Sequence, residues 1–428
     1  MGDRDLLTQR KPYARMYPEY RLFALILIII AGYAFWLDSP AEVWSGLATI
    51  ITSRSILLSD YMLVGGAGAM LLNAALVGGF ALLLVYSIGA KPNGAIIMAL
   101  WMTVGYGFFG KNIFNMIPLT AGVWLYARWQ KEPLLTYSLA ALLVATLSPV
   151  VSEIAFGFSY SHPLIGVILG SLLGLIVGFF FPMISAFTIR VHDGYNLYNM
   201  GLAGGLVATL IIAIFKSAGI TLFTVSFWGT GYDQQMALLL YALSIILILC
   251  GFWQGKGKPH MQNLKHIWRS SGRLVSDYYV LYGESSYINM GILGIVSTTI
   301  TLLLGISLNG PIMGGILSLI AFGCFGKHPR NVLPIMIGAI LATYINVFDP
   351  TAPSNAIAIL YGTGLAPIAG QFGWLSGIIA GAVHVTLIHH TSYMSGGLNL
   401  YNNGFAAGFV AVILVPIFAA LKKNSVDK

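Results

Sequence analysis

Apolar runs about as long as a helix that crosses a bilayer follow one another along this chain from residue 22 to residue 421. A hydrocarbon core roughly 30 Å thick takes about 20 helical residues to cross, and it offers no water to unpaired backbone groups. Only helices and closed barrels meet that condition. Barrel strands would read as alternating segments of about ten residues, whereas these runs are continuous. Charged residues are 8% of the chain, against roughly 25% in a soluble domain. The expectation is an all-α polytopic membrane protein.

The runs fall at 22–38, 61–88, 93–109, 113–128, 134–150, 163–183 and 196–215, then at 235–254, 287–307, 310–326, 331–348, 355–370, 372–390 and 399–421. That predicts about 14 transmembrane helices, seven in each half. Runs 61–88 and 196–215 are rich in Gly and Asn, which leaves room for re-entrant or broken helices. The first run ends in Ala31-Gly-Tyr-Ala-Phe-Trp-Leu-Asp38, bulky where a cleavage site would be small, so it reads as a retained span.

The second half repeats the first. Asn93 to Arg128 aligns without a gap on Asn309 to Tyr344, an offset of 309 − 93 = 216, and 11 of the 36 positions are identical. Among them are Phe109/Phe325, Gly110/Gly326, Lys111/Lys327, Asn115/Asn331 and Pro118/Pro334. A second pair follows each copy, Asn196-Leu-Tyr-Asn-Met-Gly-Leu-Ala-Gly204 and Asn399-Leu-Tyr-Asn-Asn-Gly-Phe-Ala-Ala407. Duplicated membrane halves commonly place a transport path at the interface between repeats. An odd number of spans per half makes the repeats inverted, with Lys111 outside and Lys327 inside.

Basic residues give the orientation. Arg4, Arg10, Lys11, Arg15 and Arg21 precede the first run, Lys256, Lys258, Lys265, Arg269 and Arg273 follow the eighth, and Lys422 and Lys423 follow the last. An even number of crossings between these clusters puts all three, and both termini, in the cytoplasm. The resulting division is a cytoplasmic segment 1–21, a first membrane repeat 22–216, an external loop and linking span 217–254, a cytoplasmic linker 255–282, a second repeat 283–421 and a tail 422–428. Met261 to Tyr282 reads as a linker helix. The net charge of +8 is accounted for by these orienting loops and calls for no nucleic-acid partner.

The Tyr-Asn-Gly repeats are the sharpest candidates for a solute site. Asn196, Asn199, Asn399 and Asn402 offer amide donors and acceptors without charge, Tyr195, Tyr198 and Tyr401 add hydroxyls, and Gly201 and Gly404 permit close backbone approach. At the start of an apolar run they suit a half-helix aimed into a cavity, although capping with small-residue packing accounts for the same pattern. Asn289 joins them through Tyr287-Ile-Asn-Met-Gly-Ile-Leu-Gly294, paired by its Tyr with Asp60-Tyr-Met-Leu-Val-Gly-Gly66. Asn73 reads as interhelical glue. The Phe-Gly-Lys turns read as kinked hairpins with Lys at the interface, or as cations that draw anions to the path entrances.

Ionisable groups at membrane depth are scarce, and each is a site hypothesis. Asp193, Glu153, Asp60 and His390 are the candidates for coupling to H⁺ or Na⁺. His384, His389 and His390 do not share one helical face and lack the His-Glu-x-x-His spacing, so no metal and no cofactor is expected. No catalytic signature stands out. Cys250 and Cys324 lie in apolar runs and read as inert thiols.

In its length, its apolar runs and its duplicated Tyr-Asn-x-Gly segments, the chain resembles an uncharacterised family of bacterial integral membrane proteins. That resemblance implies a bacterial cytoplasmic (inner) membrane. Gly194-Tyr-Asn-Leu-Tyr-Asn199 and Gly397-Leu-Asn-Leu-Tyr-Asn402 are similar to the Gly-x-Tyr-x-Tyr-Asn element of urea transporters, although the Asn-Asn-Pro element of those channels is missing. The expected function is transport of a small polar solute through the repeat interface, not enzymatic, with the lipid bilayer as surroundings. Alternatives are a channel-like facilitator, an embedded enzyme acting on a lipid-linked substrate through the three histidines, and a scaffold. Gly-rich faces are compatible with a homo-oligomer and equally with packing inside one chain.

Overall fold

The computed structural model describes residues 16–426 apart from 57, 223–227, 274–275 and 346–348, so Arg4, Arg10, Lys11 and Arg15 lie outside the described residues. Helices make up the described structure, and the only β pairing among those residues is two isolated bridges, Asp60 with Phe109 and Asp277 with Phe325.

Eight helical segments among the described residues are long and apolar enough to cross a membrane: Pro18–Leu37, Ala67–Ser87, Leu134–Phe156, Pro163–Val191, Asn199–Ser217, Asp233–Gln254, Ser285–Leu303 and Asn402–Lys423. Of the remaining expected runs, 372–390 forms a continuous helix of 22 residues, Trp374–Ser395, that carries His384, His389 and His390, and the others are shorter or broken. Gly94–Tyr106 and Gly310–Phe322 hold 13 residues each, about 20 Å at 1.5 Å per residue. Gly66, at φ 93°, breaks the second run into Tyr61–Gly65 and Ala67–Ser87. Short 3₁₀ turns interrupt the Leu134 segment at 144–147 and the Pro353 segment at 362–365. The stretch expected as one linker helix forms two, His260–Ile267 and Tyr278–Tyr282.

Side-chain caps decide where these helices begin. The Asn93 side chain accepts from Ile96 N and that of Asn309 from Ile312 N, which satisfies an orphan first-turn donor in each helix. Asn112 and Asn115 cap each other, and Asn331 accepts from His328 N at the matching turn.

The Gly94 and Gly310 helices form the centre. Nearly every residue of both is buried, and they pack antiparallel, with Gly105 against Gly314 and the N-terminus of each beside the end of the other. Asp60 closes one end by accepting from Gly310 N, Gly229 N and Met62 N. Asp277 closes the other by accepting from Gly94 N and Val280 N. Around this pair, glycines allow tight helix contact. A Cβ at Gly178 would meet Leu119 O, and one at Gly381 would meet Ile335 O, the same contact in each half.

The outer helices turn apolar side chains outward. Ile165, Leu169, Leu172, Ile176, Phe180 and Phe187 are all exposed on the Pro163 helix, a continuous stripe that water would penalise and acyl chains would not. Polar contacts gather at the two ends. On one, Tyr279 bonds Glu19, Lys258 pairs with Glu284, Arg273 with Asp193, and Lys422 donates to Gln371 O; this is the basic face. At the opposite face Tyr33 donates to Gln235 O, Asp233 accepts from Leu308 N, and Arg54 pairs with Glu153.

The structure revises one pairing. Asn289 was matched through Tyr287 with the Asp60 segment, but its counterpart is Asn73. Asn73 Nδ2 donates to Gly107 O and Lys111 O, and Asn289 Nδ2 donates to Gly323 O and Lys327 O. The offset is 289 − 73 = 216, the register of the aligned window. Both amides hold the Phe-Gly-Lys turn, so the local Tyr match was misleading.

Candidate functional site

Two helices start inside the protein, Asn199–Ser217 and Asn402–Val426. Each follows a loop that turns back from the end of the preceding helix. The loops lock on one another: Asn196 Nδ2 donates to Gly404 O at 2.8 Å, and Asn399 Nδ2 donates to Gly201 O at 3.0 Å. Within its own loop Asn196 accepts from Tyr198 N and Asn399 from Tyr401 N, and Asn399 also accepts from Thr146 Oγ1 of the first half. Gly201 and Gly404 meet where the helices cross; a Cβ on Gly404 would lie 2.7 Å from Tyr198 O, and one on Gly201 would run into Tyr401 O. The Tyr-Asn-x-Gly motif is thus a clasp, and it aims the two Tyr rings inward.

Those rings belong to an unbroken aromatic column. Tyr401 stacks on Tyr106 with centroids 3.8 Å apart, Tyr106 lies 5.8 Å from Tyr361, Tyr361 6.1 Å from Tyr198, and Tyr198 5.1 Å from Phe322. A lysine caps each end. Lys111 Nζ sits 5.6 Å from the Tyr106 centroid and 5.8 Å from that of Tyr401; Lys327 Nζ sits 4.5 Å from Tyr198 and 5.1 Å from Phe322. Such placement gives each ammonium some cation–π stabilisation.

Both lysines are 0% exposed. Neither lies at an interface, as the hairpin reading expected, because each Phe-Gly-Lys turn is folded into the protein by its Asn. No carboxylate pairs with either among the described residues. Their surroundings differ. Lys327 Nζ bonds the Tyr198 hydroxyl and donates to Thr363 Oγ1 at 2.8 Å. Lys111 Nζ and the Tyr401 hydroxyl have no hydrogen-bond partner among the described residues.

A cavity of about 720 Å³ leads to the Lys111 end. Its mouth lies by Lys216, Thr221 and Ser354, and its floor is Phe109, Tyr361, Leu400 and Asn402. Gly110 packs on Leu400, so Lys111 stands just behind that floor. Among the described residues, Lys216 is the one charged side chain in the lining.

The structure brings Tyr198 and Tyr401 to the column and Asn402 to the cavity, where its side chain bonds Ser392 and Ser395. Asn196, Asn399, Gly201 and Gly404 form the clasp. Asn199 is taken up by Thr188, His192 and Ser185. Asn289 also accepts from Trp268 Nε1. Tyr195 stacks on Phe372 under Arg273, away from the column.

The coupling candidates are dispersed. The Asp193 side chain is 78% exposed and pairs with Arg273, His390 is exposed, Glu153 is buried against Arg54, and Asp60 serves three amides. The three histidines separate too: His384 bonds Asn403 and His389 bonds Asn355, and no metal-binding cluster occurs among the described residues. The sequence reading missed the partners Tyr106, Phe322, Tyr361 and Thr363. Tyr106 and Phe322 occupy matching positions of the aligned window, an available signal; nothing marked Tyr361 or Thr363.

A model of the family described as protein of unknown function DUF1576 matches residues 39–217 and 257–420, most of the chain. The chain belongs to the DUF1576 family. The column, both lysines and the clasp fall inside the matched stretches, while the whole Asp233–Gln254 helix lies between them. No curated protein and no solved structure matches the chain.

Proposed function

We infer that this protein is a membrane transporter of a small polar solute, built as two inverted repeats whose interface carries the path. The reading keeps fourteen crossings, the eight long helices together with Trp374–Ser395 and the shorter or broken segments between them, and puts the basic face in the cytoplasm. The observation that carries it is the cavity that descends from the opposite face to the crossing of two helices that start within the protein. Inward-starting helices at a repeat interface are the arrangement used by transporters that rock one repeat against the other. The aromatic column closes the way beyond the cavity floor, which favours alternating access over an open channel.

Because the coupling candidates lie outside the cavity lining, Asp193 and His390 in particular, coupling through them has little geometric support. Solute uptake into proteoliposomes, with and without an imposed H⁺ or Na⁺ gradient, tests the reading. Saturable uptake that is accelerated by unlabelled solute on the far side is the expected result. Uptake that stays linear with concentration would mean a channel, and no uptake of any compound would remove the transport reading.

A further inference from the structure

We propose that the solute is a small organic monoanion whose carboxylate is bound by Lys111 Nζ and the Tyr401 hydroxyl just behind the floor of the cavity. The proposal rests on the transport reading and names its substrate class.

Three independent observations lead there. The first is the orphaned pair: Lys111 Nζ lies over the Tyr401 ring, 5.8 Å from its centroid, and both it and Tyr401 Oη are buried without hydrogen-bond partners among the described residues. A buried ammonium and a buried hydroxyl left unsatisfied are costly, and one carboxylate accepts from both. The second is the other half of the chain, where the equivalent lysine shows what completion looks like. Lys327 bonds the Tyr198 hydroxyl and Thr363 Oγ1. Ala145 holds the Thr363 position in the first half, at 363 − 145 = 218, since Leu400 N donates to Thr146 O as Leu197 N donates to Gly364 O, and it brings no hydroxyl to Lys111. The third is the cavity itself. Among the described residues its lining contains Lys216 and no Asp or Glu, and its walls are largely aliphatic and aromatic, with Ile212, Phe215, Ile357 and Ile388 among them. A cation at the mouth, another behind the floor and apolar walls between suit an organic anion with one charged end. A solute with several negative charges would leave charge against those walls.

Entry to Lys111 requires the side chain of Leu400 or Phe109 to swing aside, since both stand between it and the cavity. Leu400 shares its loop with Tyr401, so the same movement that admits the carboxylate presents the hydroxyl.

The test is ligand-dependent thermal stabilisation of the purified protein with acetate, butyrate, benzoate and 3-phenylpropionate, each against its neutral amide at fixed ionic strength. Wild type should bind at least one carboxylate tenfold or more tightly than its amide. Lys111→Gln should abolish that preference, Tyr401→Phe should weaken it severalfold, and Lys111→Arg should keep part of it. Lys327→Gln should leave it in place. Should Lys111→Gln fail to fold, Lys111→Arg and Tyr401→Phe carry the comparison. Equal binding of acids and amides, no binding of any acid, or a preference that survives Lys111→Gln overturns the proposal. Uptake of the same labelled acids into proteoliposomes separates the two readings. Carboxylate preference without uptake removes transport and keeps the site, whereas Lys111-independent uptake of amides removes the site and keeps transport.

Discussion

Lys111 and Lys327 share a Phe-Gly-Lys turn and differ in circumstance. Each turn is tied down by one buried amide, Asn73 or Asn289, that bonds two backbone carbonyls. Replacing either Asn with Ala strands both acceptors, and bonds of this kind within membrane proteins are worth about 1–2 kcal/mol. Asn73→Ala and Asn289→Ala should therefore lower the unfolding midpoint in detergent by similar amounts, a few degrees each. Arg54 illustrates a harsher case. Its partner Glu153 is 1% exposed, so Arg54→Ala leaves a buried carboxylate uncompensated at a cost of about 3 kcal/mol. The double variant Arg54→Met/Glu153→Leu should recover most of that loss in the same measurement.

At the scale of the element, the crossing of the Asn199 and Asn402 helices is the feature on which the site depends. The Cα atoms of Gly201 and Gly404 face each other, with the backbone of the Tyr401 and Tyr198 loops behind them. Gly201→Val or Gly404→Val forces the helices apart and costs about 1–3 kcal/mol of overpacking. Gly79, with open space where a Cβ would stand, is the control: Gly79→Ala should leave the midpoint unchanged or slightly raised, as expected for Gly→Ala in a helix. Because the clasp also aims Tyr198 and Tyr401, the crossing variants should lose uptake beyond what their stability predicts, measured on protein that remains monodisperse. Tyr361 bridges the two ends of the column. Tyr361→Ala should open a leak, read as solute efflux from loaded proteoliposomes that no longer saturates.

The whole molecule has two distinguishable faces, and the cavity opens on the one away from the main basic loops. Cysteine labelling in intact cells examines that arrangement. Ser354→Cys, at the cavity mouth, should react with a membrane-impermeant maleimide added outside, and carboxylate solutes should slow the reaction. Lys423→Cys should react only after the membrane is opened. The native thiols should contribute little background, Cys324 because it is buried and Cys250 because it is only partly exposed. Reversed labelling would invert the orientation drawn from the Lys and Arg placement and leave the site geometry as it is.

Apolar run length fixed the helical class, because a bilayer permits few ways to satisfy a backbone. Shared residues at an offset of 216 revealed the matching turns, and a second recurrence at 399 − 196 = 203 revealed the paired Tyr-Asn motifs. Those features are local, so neighbouring residues encode them. The Asp60 match failed because it relied on one Tyr, whereas the true counterpart of Asn289 lay at the common register. The rest was decided by contacts between distant segments. Whether a lysine after Phe-Gly reaches headgroups or an interior depends on Asn73 and Asn289, which stand 38 residues away. The aromatic column draws Tyr106, Tyr198, Tyr361 and Tyr401 from four separate segments, and no spacing in the chain records that they meet. Nor does the sequence show that Tyr198 and Thr363 serve Lys327 while Lys111 has no hydrogen-bond partner among the described residues. Identical residues acquired different partners because hydrogen-bond choice is settled by packing geometry, and only the folded chain has that geometry.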